Sequence, residues 1–449
     1  MASSPSSLPP WAKRREDANP PDGWQEVPLV AVSDIRFSNV DKKSYVSEKP
    51  VRLCNYMDVY NKEYVRGDED FMHATASEAE VARFVVKSGD VIITKDSETP
   101  DDIGVPAVVL DAPDDLLCGY HLALIRPRSD QVDPVFLAKQ VAHHRISRYY
   151  TRLANGLTRY GLTNTVVENT PVWLPEPPEQ HRVGGILRGI DEAIAKTEEL
   201  IAKLKAIKQG LLHDLLTRGL DDNGELRDPE KHPEQFKNTS IGLMPKAWRI
   251  APLVEFADVI VGGTPSTSVP SYWGGEVPWM SSGDVHLRRI FDVPGRITEK
   301  GLASSNAKLV EPPAVVIALA GQGKTRGTVG VTESRLCGNQ SIAFLKPRDA
   351  GLNPYFLFHN LDIRYEELRS RSAGGGRAGL SKGILDALPI PVPELAEQER
   401  IAAILNAADD VITKTNVSLT KRSALKKGLM QDLLTGRVRV NAEAWIKER

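Results

Sequence analysis

The chain has 449 residues, a length that suggests about three domains, and its 41% hydrophobic content is enough to build cores. A net charge of −2 excludes a chain that is basic throughout, so any nucleic-acid surface must be a local patch. Three scattered cysteines exclude a disulfide framework and a cysteine zinc site and fit a reducing cytoplasm; no apolar run reaches the ~20 residues of a membrane span, and none at the amino terminus reads as a secretory signal.

Residues 1–21 are rich in Ser and Pro, carry no periodicity and read as a disordered tail. Asn19-Pro20-Pro21-Asp22 resembles the N-P-P-aromatic motif of amino-methyltransferases, but Asp22 offers no ring to stack on a flipped base and no glycine-rich cofactor motif accompanies it. Residues 22–170 read as one mixed α/β domain. Strands are expected at Phe84–Val86, Val91–Thr94, Val105–Leu110 and Leu122–Ile125, with a helix opening after Asp133-Pro134. Residues 143–160 then carry Arg145, Arg148, Arg152 and Arg159 without a single acid, interleaved with Tyr149, Tyr150 and Tyr160. Arginines in such a run grip phosphates or fork onto guanine edges, and tyrosines stack or anchor. Arg145, Arg148, Tyr149, Arg152, Arg159 and Tyr160 are therefore the DNA-binding candidates of this half; a solvated helix face is the bland alternative.

Residues 171–219 form a long amphipathic helix behind a proline-rich lead-in (Pro175, Pro177, Pro178) that cannot be helix interior. Its apolar stripe runs through Val183, Leu187, Ile190, Ile194, Ile201, Leu204, Leu211 and Leu215, in the steps of a coiled-coil seam. About 35 such residues rise roughly 50 Å. Residues 220–245, with Asp221, Asp222, Gly224, Pro229 and Pro233, read as an acidic, solvated linker.

Residues 246–388 repeat the first domain faintly. Trp24…Pro28-Leu29-Val30 returns as Trp248…Pro252-Leu253-Val254, and Asp133-Pro134-Val135-Phe136-Leu137 as Asn353-Pro354-Tyr355-Phe356-Leu357. The stretch from Ala318 to Thr325 fits a relaxed P-loop pattern, and a nucleotide hydrolase using Lys324 and Thr325 is the rival that it raises. A P-loop must open a helix. Here turn and strand are expected to follow, so Lys324 and Arg326 are read as DNA contacts, with Arg369, Arg371 and Arg377 as the counterpart of the first basic run.

Residues 389–437 bring the long helix back, with its stripe at Ile401, Leu405, Ala408, Ile412, Leu419, Leu429 and Leu433, and 438–449 form a tail. Shifted by 218 residues, positions 171–217 lie on the second copy without a gap, and 21 of the 47 are identical. Thr197 and Thr415 occupy equivalent seam positions, which suggests facing stripes with matched polar layers. Two ordinary core helices are the bland alternative, against which length and the ungapped repeat argue.

These residues together resemble the specificity subunit of a type I restriction-modification system over nearly the whole chain after residue 21. The resemblance rests on the repeated Glu179-Gln180…Arg182 and Glu397-Gln398…Arg400, and on the helix ends Asp214-Leu215-Leu216-Thr217 and Asp432-Leu433-Leu434-Thr435. It rests also on Gly262-Gly263-Thr264-Pro265…Tyr272-Trp273-Gly274-Gly275, an opening that the first domain lacks. It implies an α+β fold in which two target-recognition domains (22–170 and 246–388) alternate with two long helices paired as an antiparallel coiled coil, a pseudo-two-fold repeat. It implies a non-catalytic chain that binds double-stranded DNA, each domain reading one half of a split site, and no cofactor or metal of its own. Two modification subunits using S-adenosylmethionine dock on it, and an ATP- and Mg-using restriction subunit is the further partner that the resemblance allows. A methylation-only or other multi-subunit defence system is an open alternative, as is an adaptor that binds proteins alone.

Overall fold

The computed structural model describes residues 19–440 apart from Ser129, Gln322 and 372–378; residues 1–18, 441–449 and Arg377 lie outside the described part. The chain divides into two units, one of residues up to 198 and from 417 onward, the other of residues 199–416. Each unit therefore holds one domain and a portion of both long helices.

The first unit is built on a five-stranded sheet in the order Ser33–Phe37, Leu122–Pro127, Val91–Thr94, Pro106–Val109, Tyr64–Val65. The second unit repeats that order with Ala257–Val261, Ile342–Pro347, Ala314–Ala318, Val329–Thr332, Arg289–Ile290. The central strands are buried on both faces, which is why Val91–Thr94 and Ala314–Ala318 read as unbroken apolar runs. Each domain is closed by a short antiparallel pair, Gln25–Pro28 with Pro171–Leu174 and Arg249–Pro252 with Pro389–Val392. This pairing ties the start of the domain to the prolines that lead into the long helix.

The first domain lacks the Gly-Gly-Thr-Pro opening yet makes the same turn by other means. Gly262 donates its backbone N–H to the Ile342 carbonyl, and a Cβ there would meet the Gly338 and Asn339 carbonyls at 2.3 and 2.2 Å. Its counterpart Ser38 donates to the Leu122 carbonyl, and the Ser38 hydroxyl binds the Cys118 carbonyl at 2.5 Å. A side chain that supplies its own hydrogen bond replaces a glycine that admits close approach.

The long helices span Pro177–Thr217 and Leu395–Leu433. In the first unit Val183 and Leu187 share a buried core with Leu433 and Leu434; in the second, Leu215 and Leu216 share one with Ile401 and Leu405. Each unit thus packs the start of one helix beside the end of the other, the antiparallel arrangement. Polar contacts set the register. Asp191 meets Lys426 at 2.8 Å in the first unit, and Lys208 meets Asp409 at 2.5 Å in the second. A shift of 218 residues carries one pair onto the other, so two positions identical in both copies make the same contact twice.

The hydroxyls of Thr197 and Thr415 donate to the Ala193 and Val411 carbonyls of their own helices, so they are satisfied locally.

The repeated Glu-Gln motif also has a structural account. Gln180 accepts from the Asp133 N–H and donates to the Gln131 and Pro175 carbonyls; Gln398 does the same with Asn353, Gly351 and Pro393. Each glutamine so fixes the start of a domain helix, Pro134–Ala142 or Pro354–Ile363, against a long helix. Glu179 takes both arms of Arg439, and Glu397 takes Arg227 and the Leu220 N–H. Leu220 and Arg227, in the stretch expected to be a solvated linker, are therefore docked on a long helix, as is Arg439. Residues 220–245 also fold a hairpin, Phe236–Thr239 with Gly242–Pro245, where the sequence suggested a solvated linker. Residues Glu78–Phe84 are a helix rather than the leading edge of a strand, because Ser77 and Glu80 form a capping box.

Candidate nucleic-acid interface

In the first unit the basic run folds as a helix, His144–Leu153, followed by an exposed loop and the short strand Tyr160–Gly161. The helix has a strong apolar side, and that side takes two of the tyrosines. Tyr149 is 6% exposed and its hydroxyl donates to the Val166 and Asn169 carbonyls; Tyr150 is fully buried and bonded to Thr170. Burial pushes both phenols up. Tyr149 is thus a core residue and a correction to the stacking role expected of it. Arg145 is half-buried, 4.0 Å over the Trp173 ring and bonded to Gln140, which makes it structural too. Arg148, Arg152 and Arg159 are exposed, and Tyr160 is half-buried.

Strand Tyr160–Gly161 pairs with Asp96–Ser97, which places Arg159 beside the loop that joins Val91–Thr94 to Pro106–Val109. The two segments bound a cleft of about 870 Å³ lined by Lys42, Tyr56, Asp96, Glu98, His121 and Arg159 among others. Tyr56 and Tyr60 stack with centroids 5.5 Å apart, and the Tyr60 hydroxyl donates to Asp102 at 2.5 Å. Burial raises the Tyr56 phenol, and the Asp102 charge adds to it. His121 has φ +68°, outside the range that non-glycine residues favour, and its Nδ1 binds the Asp96 carboxylate at 2.5 Å. Tyr120 lies 4.0 Å from the His121 ring. No motif announced this cleft in the sequence; the acids of residues 96–102 between two strands were its only trace.

In the second unit Ala314–Ala318 leads into a turn and then strand Val329–Thr332, with no helix among the described residues between them. The described residues there do not open a helix as a P-loop does. Lys324 is exposed and Arg326 half-buried. The loop is held from behind: Tyr365 donates to the Lys324 carbonyl at 2.8 Å, and Arg369 donates to the Gly323 and Arg326 carbonyls at 2.8 and 3.2 Å. Arg369, a DNA-binding candidate, thus also positions the loop that bears Lys324. Arg371 is half-exposed and paired with Glu367 at 2.9 Å.

Among the described residues there is no His, Cys, Asp or Glu group able to hold a metal, and no helix long and apolar enough to cross a membrane.

A family model for the type I restriction modification DNA specificity domain matches residues 21–206 and again 245–421. A Methanocaldococcus jannaschii protein described as a candidate type I restriction enzyme specificity subunit is 25% identical over 364 residues, covering 80% of this chain and 81% of its own. A type I restriction enzyme specificity subunit of Escherichia coli is 25% identical over 279 residues, 60% of this chain and 62% of its own. Among solved structures, the type I restriction-modification S subunit from M. genitalium superposes with a TM-score of 0.60 at 14% identity, over 94% of this chain and 98% of that one, a likeness of fold.

Proposed function

Since the chain belongs to the type I restriction-modification DNA specificity family, we propose that each of its two domains reads one half of a bipartite, asymmetric DNA site and that the paired helices fix the gap. The observation that carries this reading is the same five-strand order occurring twice with different loops at corresponding places. One scaffold repeated with altered loops is what two different half-sites require. Phosphate contacts by Arg148, Arg152 and Arg159 set position, and loop side chains set sequence.

The chain acts without chemistry of its own. Modification subunits that use S-adenosylmethionine dock on the helices, and a restriction subunit that uses ATP and Mg joins them where the system cuts. The helices carry a second apolar stripe that suits such docking. Ile186, Leu200 and Ile207 on one, and Ile404, Val411 and Leu425 on the other, are exposed and fall at heptad steps. Ile186 and Ile207 coincide with Ile404 and Leu425 after the 218-residue shift, which matches two copies of one partner.

The test is selection of DNA from a random library by the chain purified with its modification subunits. Two short blocks separated by a constant gap are expected. One continuous block, or no enrichment, overturns the reading.

A further inference from the structure

The two domains can be compared loop by loop, because their hydrogen bonds correspond. Gly104 donates to the Thr94 carbonyl as Gly327 does to the Ala318 carbonyl; Leu162 donates to Lys95 as Leu380 does to Leu319. The loop that opens at Lys95 and closes at Gly104 in the first domain therefore corresponds at both ends to the loop that opens at Leu319 and closes at Gly327 in the second. Their chemistry is opposite. The first reads Lys-Asp-Ser-Glu-Thr-Pro-Asp-Asp-Ile and the second Leu-Ala-Gly-Gln-Gly-Lys-Thr-Arg.

In the first loop Asp102 is taken by Tyr60 and Asp96 by His121. With Nδ1 bound to Asp96, Nε2 is the other polar atom of the His121 ring, which lines the cleft. The Glu98 carboxylate, exposed on the same cleft, accepts only. The cleft is thus lined by the carboxylates of Asp96, Glu98 and Asp102, while Lys42 and Arg159 supply the cations that a phosphate backbone needs. Carboxylates deter phosphate and suit the amino groups that cytosine N4 and adenine N6 present in the major groove. Lys324 in the second loop suits the guanine O6 and N7 acceptors.

We infer that this cleft reads the first half-site, that Glu98 selects a base with an exposed amino group and His121 beside it is a second specificity-determining residue, and that the matching loop of the second domain selects guanine through Lys324. The left-handed backbone at His121 fits this assignment, since non-glycine residues are held there by their surroundings and such positions cluster where function demands them. The inference rests on the bipartite reading proposed above.

The experiment is adenine-methylation sequencing of cells carrying the full chain with its modification subunits, as wild type, E98Q, H121N and K324Q. All three side chains lie at the surface of a loop or cleft, so the variants keep the cores intact. E98Q and H121N are expected to relax the first half of the motif at one or two positions, by about tenfold in relative methylation of sites that differ there. The gap and the second half should stay as in wild type, and K324Q should do the reverse. A first half unchanged in both E98Q and H121N overturns the assignment. A wild type with no split motif removes the bipartite reading itself, so the two failures are distinct.

Discussion

Removing the Asp191 carboxylate tests the polar clasp between helices in the first unit. Asp191 lies between Lys139, at 2.5 Å, and Lys426, at 2.8 Å, and the Tyr64 hydroxyl donates to it at 2.7 Å. The side chains of Asp191 and Lys139 are 7% and 4% exposed. Burial alone would push this carboxyl up, but the Lys139 charge and the Lys426 and Tyr64 donors outweigh burial and hold it below the usual range. Its contribution is therefore present above about pH 4 and lost as pH falls through the lowered value. In Asp191→Ala the two ammonium groups keep Glu63, which is half-exposed, and Lys139 keeps its place over the Tyr64 ring. Stranding a buried charge costs about 3–5 kcal/mol, and the remaining Glu63 puts this case near the lower end. For a unit of this size about 3 kcal/mol lowers Tm by roughly 6–12 °C.

The two units need not melt together, so unfolding should be followed by amide hydrogen exchange resolved by unit. Asp191→Ala should destabilise the first unit and leave the second near wild type. Asp191→Ala with Lys139→Met should recover most of the loss, because a buried cation has been replaced by an apolar chain of similar length. A loss under about 1 kcal/mol, or no recovery in the double variant, would refute the view that Asp191 neutralises buried lysines.

At the place of Lys139 the second domain has His359, fully buried and bonded to Asn406. Burial pulls its pKa down to about 4. The folded value lies below the unfolded one, so the unfolded state binds the extra proton. Stability of the second unit should fall as pH drops from about 6.5 to 4, by up to about 3 kcal/mol, and His359→Gln should flatten that slope in pH-dependent denaturant titrations. Arg148→Ala should weaken DNA binding by about tenfold; a loss equal on all sequences marks a phosphate contact, and a loss confined to cognate sites marks a base contact. Inserting four residues, about one helical turn, in both long helices should change the gap in the recognised motif and leave both half-sites intact, as read by methylation sequencing. An unchanged gap would sink the spacer role.

The architecture was legible because it is written twice. The ungapped repeat located both long helices, and pairs such as Trp24 with Trp248 aligned the domains before any strand was known. Even so, the identity of Asp191, Lys208, Asp409 and Lys426 across the copies did not disclose that they pair crosswise, because pairing depends on antiparallel packing. The site was less legible. A basic helix with an apolar side hides its tyrosines in the core, so Tyr149 was misjudged from composition, where spacing against Ile146 and Leu153 would have placed it inside. The part that Arg369 plays in holding the loop was not legible, because nothing in the chain shows that the Gly323 and Arg326 carbonyls lie within its reach. The Ser77…Glu80 capping box was a readable signal for the helix at Glu78–Phe84, and local start chemistry there outweighed the strand-like Phe84–Val86. The acidic loop of the first domain gained meaning only once hydrogen bonds matched it to the basic loop of the second.

The central claim is that each domain reads its half-site independently. Its most direct test replaces residues 22–170 by a copy of residues 246–388, keeping both helices, and sequences adenine methylation in cells with the modification subunits. The account predicts that both halves of the motif become versions of the original second half. Retention of the original first half, or a motif related to neither, would contradict it.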